Sequence, residues 1–231
     1  MIVCGLDLSM NHYALVMKHI ESKKTRVIVA WNVASRVHEW HDKIPSNYRL
    51  RFVAKTPPEK EMFHYYVNGQ SIIEDIRDFQ KEKDFAGRVL VALEGYAYSS
   101  SPVGLARIVE MTALVKEVLY FNGHAIRLHD PLSVKMWAGD AHADKDYMVD
   151  ACLKKYKIPD CLLQTKTNPG QDVADAYFLM KMMEAEYRVR MDPMRQKKYK
   201  DKQRQVFNRV TKAYPENLLC RPFLVSMQPE I

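Results

Sequence analysis

The opening thirty-three residues constrain the fold more than any other stretch of this chain. Ile2–Leu8, Tyr13–Ile20 and Thr25–Val33 are runs rich in Val, Ile and aromatic residues. Glu21-Ser22-Lys23-Lys24 separates the last two with the character of a hairpin turn, so three antiparallel strands open the chain. Beyond them the period changes. Met62, Tyr65, Tyr66, Ile72, Ile73, Ile76 and Phe79 predict an amphipathic helix over about Glu61–Lys83, with a possible break at Asn68-Gly69. Val89–Leu93 is a short continuous apolar run, as expected of a strand covered on both faces. Val103–Phe121 repeats apolar residues at helical spacing and stops at Asn122-Gly123, and Ala125–Leu128 is a further strand. Asp144–Tyr156 and Asp172–Tyr187 read as helices. Strands followed by alternating helix and strand make an α/β chain: a mixed sheet in which helical crossovers join the parallel strands and helices cover the faces. Between the two regimes, Ala34–Lys60 is charged, contains three prolines and has no steady period, which predicts an irregular insertion.

At 231 residues the chain is long enough for one good core with an appendage. No apolar run approaches the ~18–20 residues of a membrane span, and the first residues lead straight into a strand without a basic flank or cleavage site, so a cytoplasmic protein with no membrane partner is expected. The four cysteines form no Cys-x-x-Cys pair, in keeping with a reducing compartment. The net charge of +7 is concentrated. Arg188–Lys212 holds ten basic and two acidic residues, a net +8 that leaves the rest of the chain at −1. Residues 188–231 therefore read as a basic extension on a near-neutral body, 1–187, that carries the insertion 34–60. Such a segment suits a polyanion, with Arg195, Lys197, Lys198 and Lys200 at its centre and Tyr199 and Phe207 available to pack against the partner.

The chemistry lies in the acids. Asp7 stands between Leu6 and Leu8 in an apolar strand, where burying an unpaired carboxylate costs on the order of several kcal/mol. Glu94 poses the same problem at the end of Val89–Leu93, and Gly95 lets the chain turn away there. Asp172 and Asp175 are three apart at the start of a helix, so they share a face; acids in a first turn also satisfy the helix dipole, so the pair alone does not make a site. Together the four carboxylates repel one another unless cations are present. Hard oxygen ligands suit Mg²⁺ or Mn²⁺, and two such ions ~3.5–4 Å apart support in-line hydrolysis of a phosphodiester without a protein nucleophile.

Gly5-Leu6-Asp7-Leu8-Ser9, Val91-Ala92-Leu93-Glu94-Gly95-Tyr96 and Gln171-Asp172-Val173-Ala174-Asp175-Ala176 resemble, in order and spacing, the three acidic motifs of RuvC-type Holliday junction resolvases in the RNase H-like superfamily. Asp130-Pro131, Val134-Lys135, Gly139 and Ala143-Asp144-Lys145 resemble the family's basic region, particularly in its bacteriophage members, and the likeness spans roughly Met1–Met183. The resemblance implies an RNase H-like fold and a homodimeric, Mg²⁺-dependent crossover junction endodeoxyribonuclease that nicks paired strands of a four-way DNA junction. It implies Asp7, Glu94, Asp172 and Asp175 as ligands of two Mg²⁺ ions, for which Mn²⁺ substitutes, with Asp7 shared between them. Lys135 and Lys145 would contact or neutralise the scissile phosphate region, Lys145 in a catalytic role. Bacterial members stack an aromatic just after the glutamate on unpaired bases. Here that position is Ala97, flanked by Tyr96 and Tyr98, either of which could stack on a base or pack in the core.

Three rival readings remain on the sequence. A nuclease of the same fold could act on flaps, replication branches or RNA–DNA hybrids, since selectivity lies in surface shape. A non-catalytic branched-DNA-binding protein would use the basic segment alone. Sugar kinases and actin-like ATPases also open on a Gly-x-Asp strand, but need two such domains and glycine-rich phosphate loops, and this chain has 8 Gly. The eight histidines show no metal-ligand spacing, and His142, beside Lys145, reads as a solvent-facing loop residue.

Overall fold

Strand β1 (Ile2–Ser9) divides its side chains between two apolar cores: Val3 faces one, while Ile2, Cys4 and Leu6 face the other. A strand placed so must lie mid-sheet with helices on both faces. The computed structural model describes residues 1–9, 12–54, 60–95, 102–163 and 169–213. In it β1 pairs antiparallel with β2 (His12–His19), and β2 with β3 (Thr25–Trp31). On its other side β1 pairs in parallel with β5 (Leu90–Glu94), which pairs in parallel with β6 (Ala125–His129). This is the mixed sheet that the sequence predicts.

Residues 34–54 are more ordered than expected. They form helix α1 (Ala34–His41) and strand β4 (Tyr48–Phe52), which adds in parallel to β3, giving the order β4-β3-β2-β1-β5-β6. Two buried aromatics hold this region to the body. Trp40 packs with its ring 6.2 Å from that of Trp31, and the Tyr48 hydroxyl donates to the Lys157 carbonyl at 3.0 Å.

Helix α2 (Glu61–Glu82) and helix α3 (Pro102–Phe121) cover the face that holds Leu6 and Leu93. α2 runs unbroken through Asn68-Gly69, contrary to the break allowed for by the sequence: Asn68 Nδ2 donates to His64 Nε2, and a Cβ on Gly69 would stand 3.2 Å from Val118 of α3, so the glycine lets the helices approach. The opposite face carries α4 (Pro131–Ala138), α5 (Lys145–Leu153) and α6 (Pro169–Met191). α4 is a helix that the periodicity does not announce. Asp130 caps it by accepting from Ser133 N at 2.8 Å, with Pro131 at the first helical position.

One close approach fixes the geometry of this face. A Cβ on Gly5 would stand 1.9 Å from the Ala176 carbonyl oxygen and 2.3 Å from Met180 N. Only glycine lets the backbone of α6 lie directly on β1 at that point, and the approach holds the start of α6 against the end of β1.

The basic segment does not stand apart from the body. Arg188 and Arg190 finish α6, Pro193–Lys198 form a 3-10 turn, and α7 (Asp201–Ala213) packs on α4. Tyr199 and Phe207, expected to face a partner, pack instead on Trp137, with ring centroids 5.5 and 5.2 Å away, because the buried indole offers them an apolar surface. Among the described residues no helix is long and apolar enough to cross a membrane.

Candidate active site

The carboxyl ends of β1 and β5 lie side by side, with Leu6 in register with Leu93. One residue further on, each strand ends its apolar run in a carboxylate, Asp7 and Glu94. In parallel sheets this edge is where ligands bind, because the covering elements diverge there. α6 supplies Asp172 and Asp175 from its first turns, held over the strands by the Gly5 contact. α5 begins at Lys145 beneath its Asp144 cap, and α4 contributes Lys135. All four acids are half-buried: they line a recess that solvent reaches.

Their mutual influence shows that they converge. Burial raises the pKa of the Asp7 carboxyl well above the ordinary aspartate range, and Asp172, Asp175 and Glu94 push it further, against the opposing pull of Lys145. Glu94 is pushed up to about 7, first by burial and then by Asp130, while Lys135 and Lys145 hold it back. Asp175 also rises to about 7, through burial and the charges of Glu94 and Asp172, again against Lys145 and Lys135. Four negative groups thus face two lysines, and the lysines do not offset the repulsion.

The donor set is made of carboxylate oxygens with excess negative charge, the chemistry that a hard divalent cation satisfies. Among the described residues no three His, Cys, Asp or Glu side chains are drawn close enough to enclose an ion as they stand. By charge and ligand type alone the set suits a hard divalent cation such as Mg²⁺.

The sequence did not point to His12. Its Nε2 lies 3.0 Å from Asp172 Oδ2, its Nδ1 lies 3.2 Å from Ser9 Oγ, and its ring rests 4.4 Å from that of Trp31. The contact arises from the β1–β2 register, which sets Ser9 opposite His12 at the strand end that carries Asp7. That register could have been read from the hairpin; metal-ligand spacing could not reveal it. Asp130, whose charge reaches Glu94, is a second addition, and it also meets Arg209 of α7 at 3.5 Å. His142 is exposed. Tyr96 and Tyr98 lie outside the described residues.

The other expected DNA-binding residues are not at this recess. Arg195, Lys197 and Lys198 lie in the 3-10 turn beyond the far end of α6, and Lys200 follows it. Arg195 is paired with Asp192 at 3.2 Å, and Lys197, Lys198 and Lys200 are exposed.

No protein-family model matches the chain, and no curated protein matches it. Among solved structures it is similar to RuvC of Thermus thermophilus, at 15% identity and a TM-score of 0.48 over 77% of this chain and 92% of that one. It is also similar to T. thermophilus RuvC in complex with Holliday junction substrate, at 14% identity and a TM-score of 0.49 over 83% of this chain and 96% of that one.

Proposed function

We propose that this protein is a RuvC-type, Mg²⁺-dependent endonuclease that hydrolyses phosphodiesters in branched DNA and resolves four-way Holliday junctions by paired nicks. The observation that carries the reading is the convergence of Asp7, Glu94, Asp172 and Asp175 at the carboxyl ends of two parallel strands, where burial and the charge of the other acids raise the pKa of Asp7 and of Asp175. Uncompensated acids cost stability, and a chain that keeps four of them in one open recess has a use for cations there.

Asp7, Glu94, Asp172 and Asp175 would hold two Mg²⁺ ions, with Mn²⁺ as a substitute, and Asp7, central to the set, would serve both. The bound ions would supply an activated water and stabilise the leaving oxygen of an in-line displacement. The remaining work falls to the chain. Lys145 and Lys135, whose charges reach the carboxylates, would hold the phosphate next to the cut, with Lys145 as the catalytic one of the two. His12 orients Asp172 by its contact at 3.0 Å. The basic residues of 188–213 supply sequence-independent affinity for the phosphate backbone.

Paired nicks require two recesses, and we infer a homodimer. An exposed apolar row on α2 (Met62, Phe63, Tyr66 and Val67), with Val109 of α3 also exposed, supports a second copy as its cover.

A cleavage panel of four-way, three-way, flap and linear DNA and an RNA–DNA hybrid, with products mapped, tests the reading. Symmetric paired cuts in the four-way junction with Mg²⁺, absent with Ca²⁺ and absent in Asp7→Asn while junction affinity persists, are expected. Preferential cutting of flaps or hybrids would reassign the substrate. Salt-sensitive binding with no cutting under any divalent ion would leave a non-catalytic junction-binding protein.

A further inference from the structure

A second feature of the molecule lies at the far end of the two helices that shape the recess. Lys155, Lys181, Arg188, Arg195 and Lys198 line a cavity of about 340 Å³ in which Glu184 is the one carboxylate among the lining groups. Glu184 does not neutralise it. That single carboxylate is shared by Lys18 at 2.8 Å, Arg188 at 2.9 Å and Lys181, so this cluster alone retains two positive charges. Lys155 rests 5.8 Å over the Phe178 ring, and neither it nor Lys198 makes an ion pair among the described residues. Burial, with Lys200 and Lys181 nearby, lowers the pKa of Lys155, as expected where cations crowd without a counter-ion. Trp137 and Phe178 give the cavity rigid apolar walls. An excess of cations lining one open cavity is the pattern that takes a phosphate.

The distance to the carboxylates is set by regular structure. α5 starts with Lys145 at the acids and ends just before Lys155. α6 starts with Asp172 and Asp175 and then passes Lys181 and Arg188. At about 1.5 Å per residue, Lys181 and Arg188 lie roughly 9 and 20 Å along the axis from Asp175. A DNA strand advances about 3.4 Å per nucleotide, so the cavity lies roughly three to six nucleotides from the recess.

We propose that this cavity is a phosphate anchor that grips the backbone of the DNA arm leading away from the cut, three to six nucleotides from the scissile bond. The assignment rests on the branched-DNA reading above. It divides the labour between a metal-dependent recess that cuts and a metal-independent clamp that fixes how far into the arm the cut falls.

The test uses the full chain in EDTA and measures affinity for a four-way DNA junction as salt is varied. Lys155→Gln/Lys198→Gln removes two charges from the cavity lining without touching the Glu184 cluster, and Lys24→Gln on the β2–β3 turn serves as control. The double variant should bind about tenfold more weakly at moderate salt, with the salt slope reduced by up to about two, while the control matches wild type. A second arm titrates inorganic phosphate against thermal melting. If phosphate stabilises wild type and not the double variant while both bind the junction alike, the cavity takes a free anion and the anchor is overturned. Unchanged junction affinity and slope in a protein that still cuts branched DNA overturns the anchor alone. Failure of wild type to bind any branched DNA removes both the anchor and the function on which it rests.

Discussion

Helix α6 carries two pairs of acids, and the fold treats them in opposite ways. Near its start, Asp172 and Asp175 join Asp7 and Glu94, and the nearby lysines leave Asp175 and Glu94 raised to about 7. Two turns further on, Glu184 is held by Lys18, Lys181 and Arg188, and Glu186 by Arg127 and, at 3.0 Å, Arg190. Burial alone would raise Glu184, but the hydrogen bonds from Lys18 and Lys181 prevail and hold it at about 2. A carboxylate surrounded by cations is a fastener: Glu184 ties α6 to β2, and Glu186 ties it to β6. A carboxylate left among its own kind does nothing for the fold, and its charge remains available to a ligand.

The largest effects should separate the pairs cleanly. Asp175→Asn is expected to abolish cleavage while leaving the ion-free protein as stable as wild type or more so, because it removes a repelled charge. Glu186→Gln should do the reverse. It leaves Arg127, 3% exposed, without its counter-charge, at a cost of about 3–5 kcal/mol in urea unfolding, while the folded fraction cuts normally. If Asp175→Asn unfolds the protein, or Glu186→Gln leaves stability untouched, the contrast between fastener and ligand is wrong.

Acid sharpens the same contrast. The Glu184 carboxyl titrates lower in the folded chain than the usual 4.5, so its contribution is complete above about 4.5 and is lost as pH falls through about 2. That shift corresponds to roughly 3 kcal/mol. Unfolding measured between pH 5 and 2 should show this loss in wild type and a shallower one in Glu184→Gln. Equal slopes would mean that the cations around Glu184 do not stabilise its charge.

Both pairs depend on where α6 lies, and Gly5 decides that. Gly5→Ala would force the Ala176 carbonyl away from β1 and should cost about 1–3 kcal/mol of stability. Cleavage should suffer more than melting temperature, because the acids at the start of α6 shift relative to Asp7. A variant with wild-type cleavage would show that the contact does not set the recess.

How much of this was legible in the sequence follows from where each interaction originates. Asp7 and Glu94 stood out because a charge that ends an apolar strand is locally anomalous, and Asp172 and Asp175 because their spacing shares a helix face. The three opening strands and four of the helices followed from periodicity. Strand β4 was missed although Tyr48-Arg49-Leu50-Arg51-Phe52 alternates with a period of two, because the arginines and nearby prolines lower its apolar character. α1 was missed because it buries Trp40 alone. α7 was misjudged for a different reason. Val206 and Phe207 are isolated apolar residues among charges, and only the tertiary position of Trp137 makes them core. The fasteners were illegible too, since Lys18–Glu184 and Arg127–Glu186 join residues far apart in the chain that only the sheet brings together.

His12 gives the smallest and most discriminating test, because it is the one described side chain seen to contact an acid of the recess directly. Its contact with Asp172 at 3.0 Å, backed by Ser9 at 3.2 Å, is too little to turn that acid into a fastener, but enough to fix its orientation. His12→Ala should therefore lower cleavage by about ten- to a hundredfold, as is usual when the partner of a metal-holding group is removed, with little change in melting temperature. The loss should shrink as Mg²⁺ is raised, because a misoriented Asp172 weakens binding of the ion before it impairs the chemical step. A loss independent of Mg²⁺ would instead give His12 a role at the reacting phosphate. A loss of stability comparable to that of Glu186→Gln would place it with the fasteners at the other end of the helix.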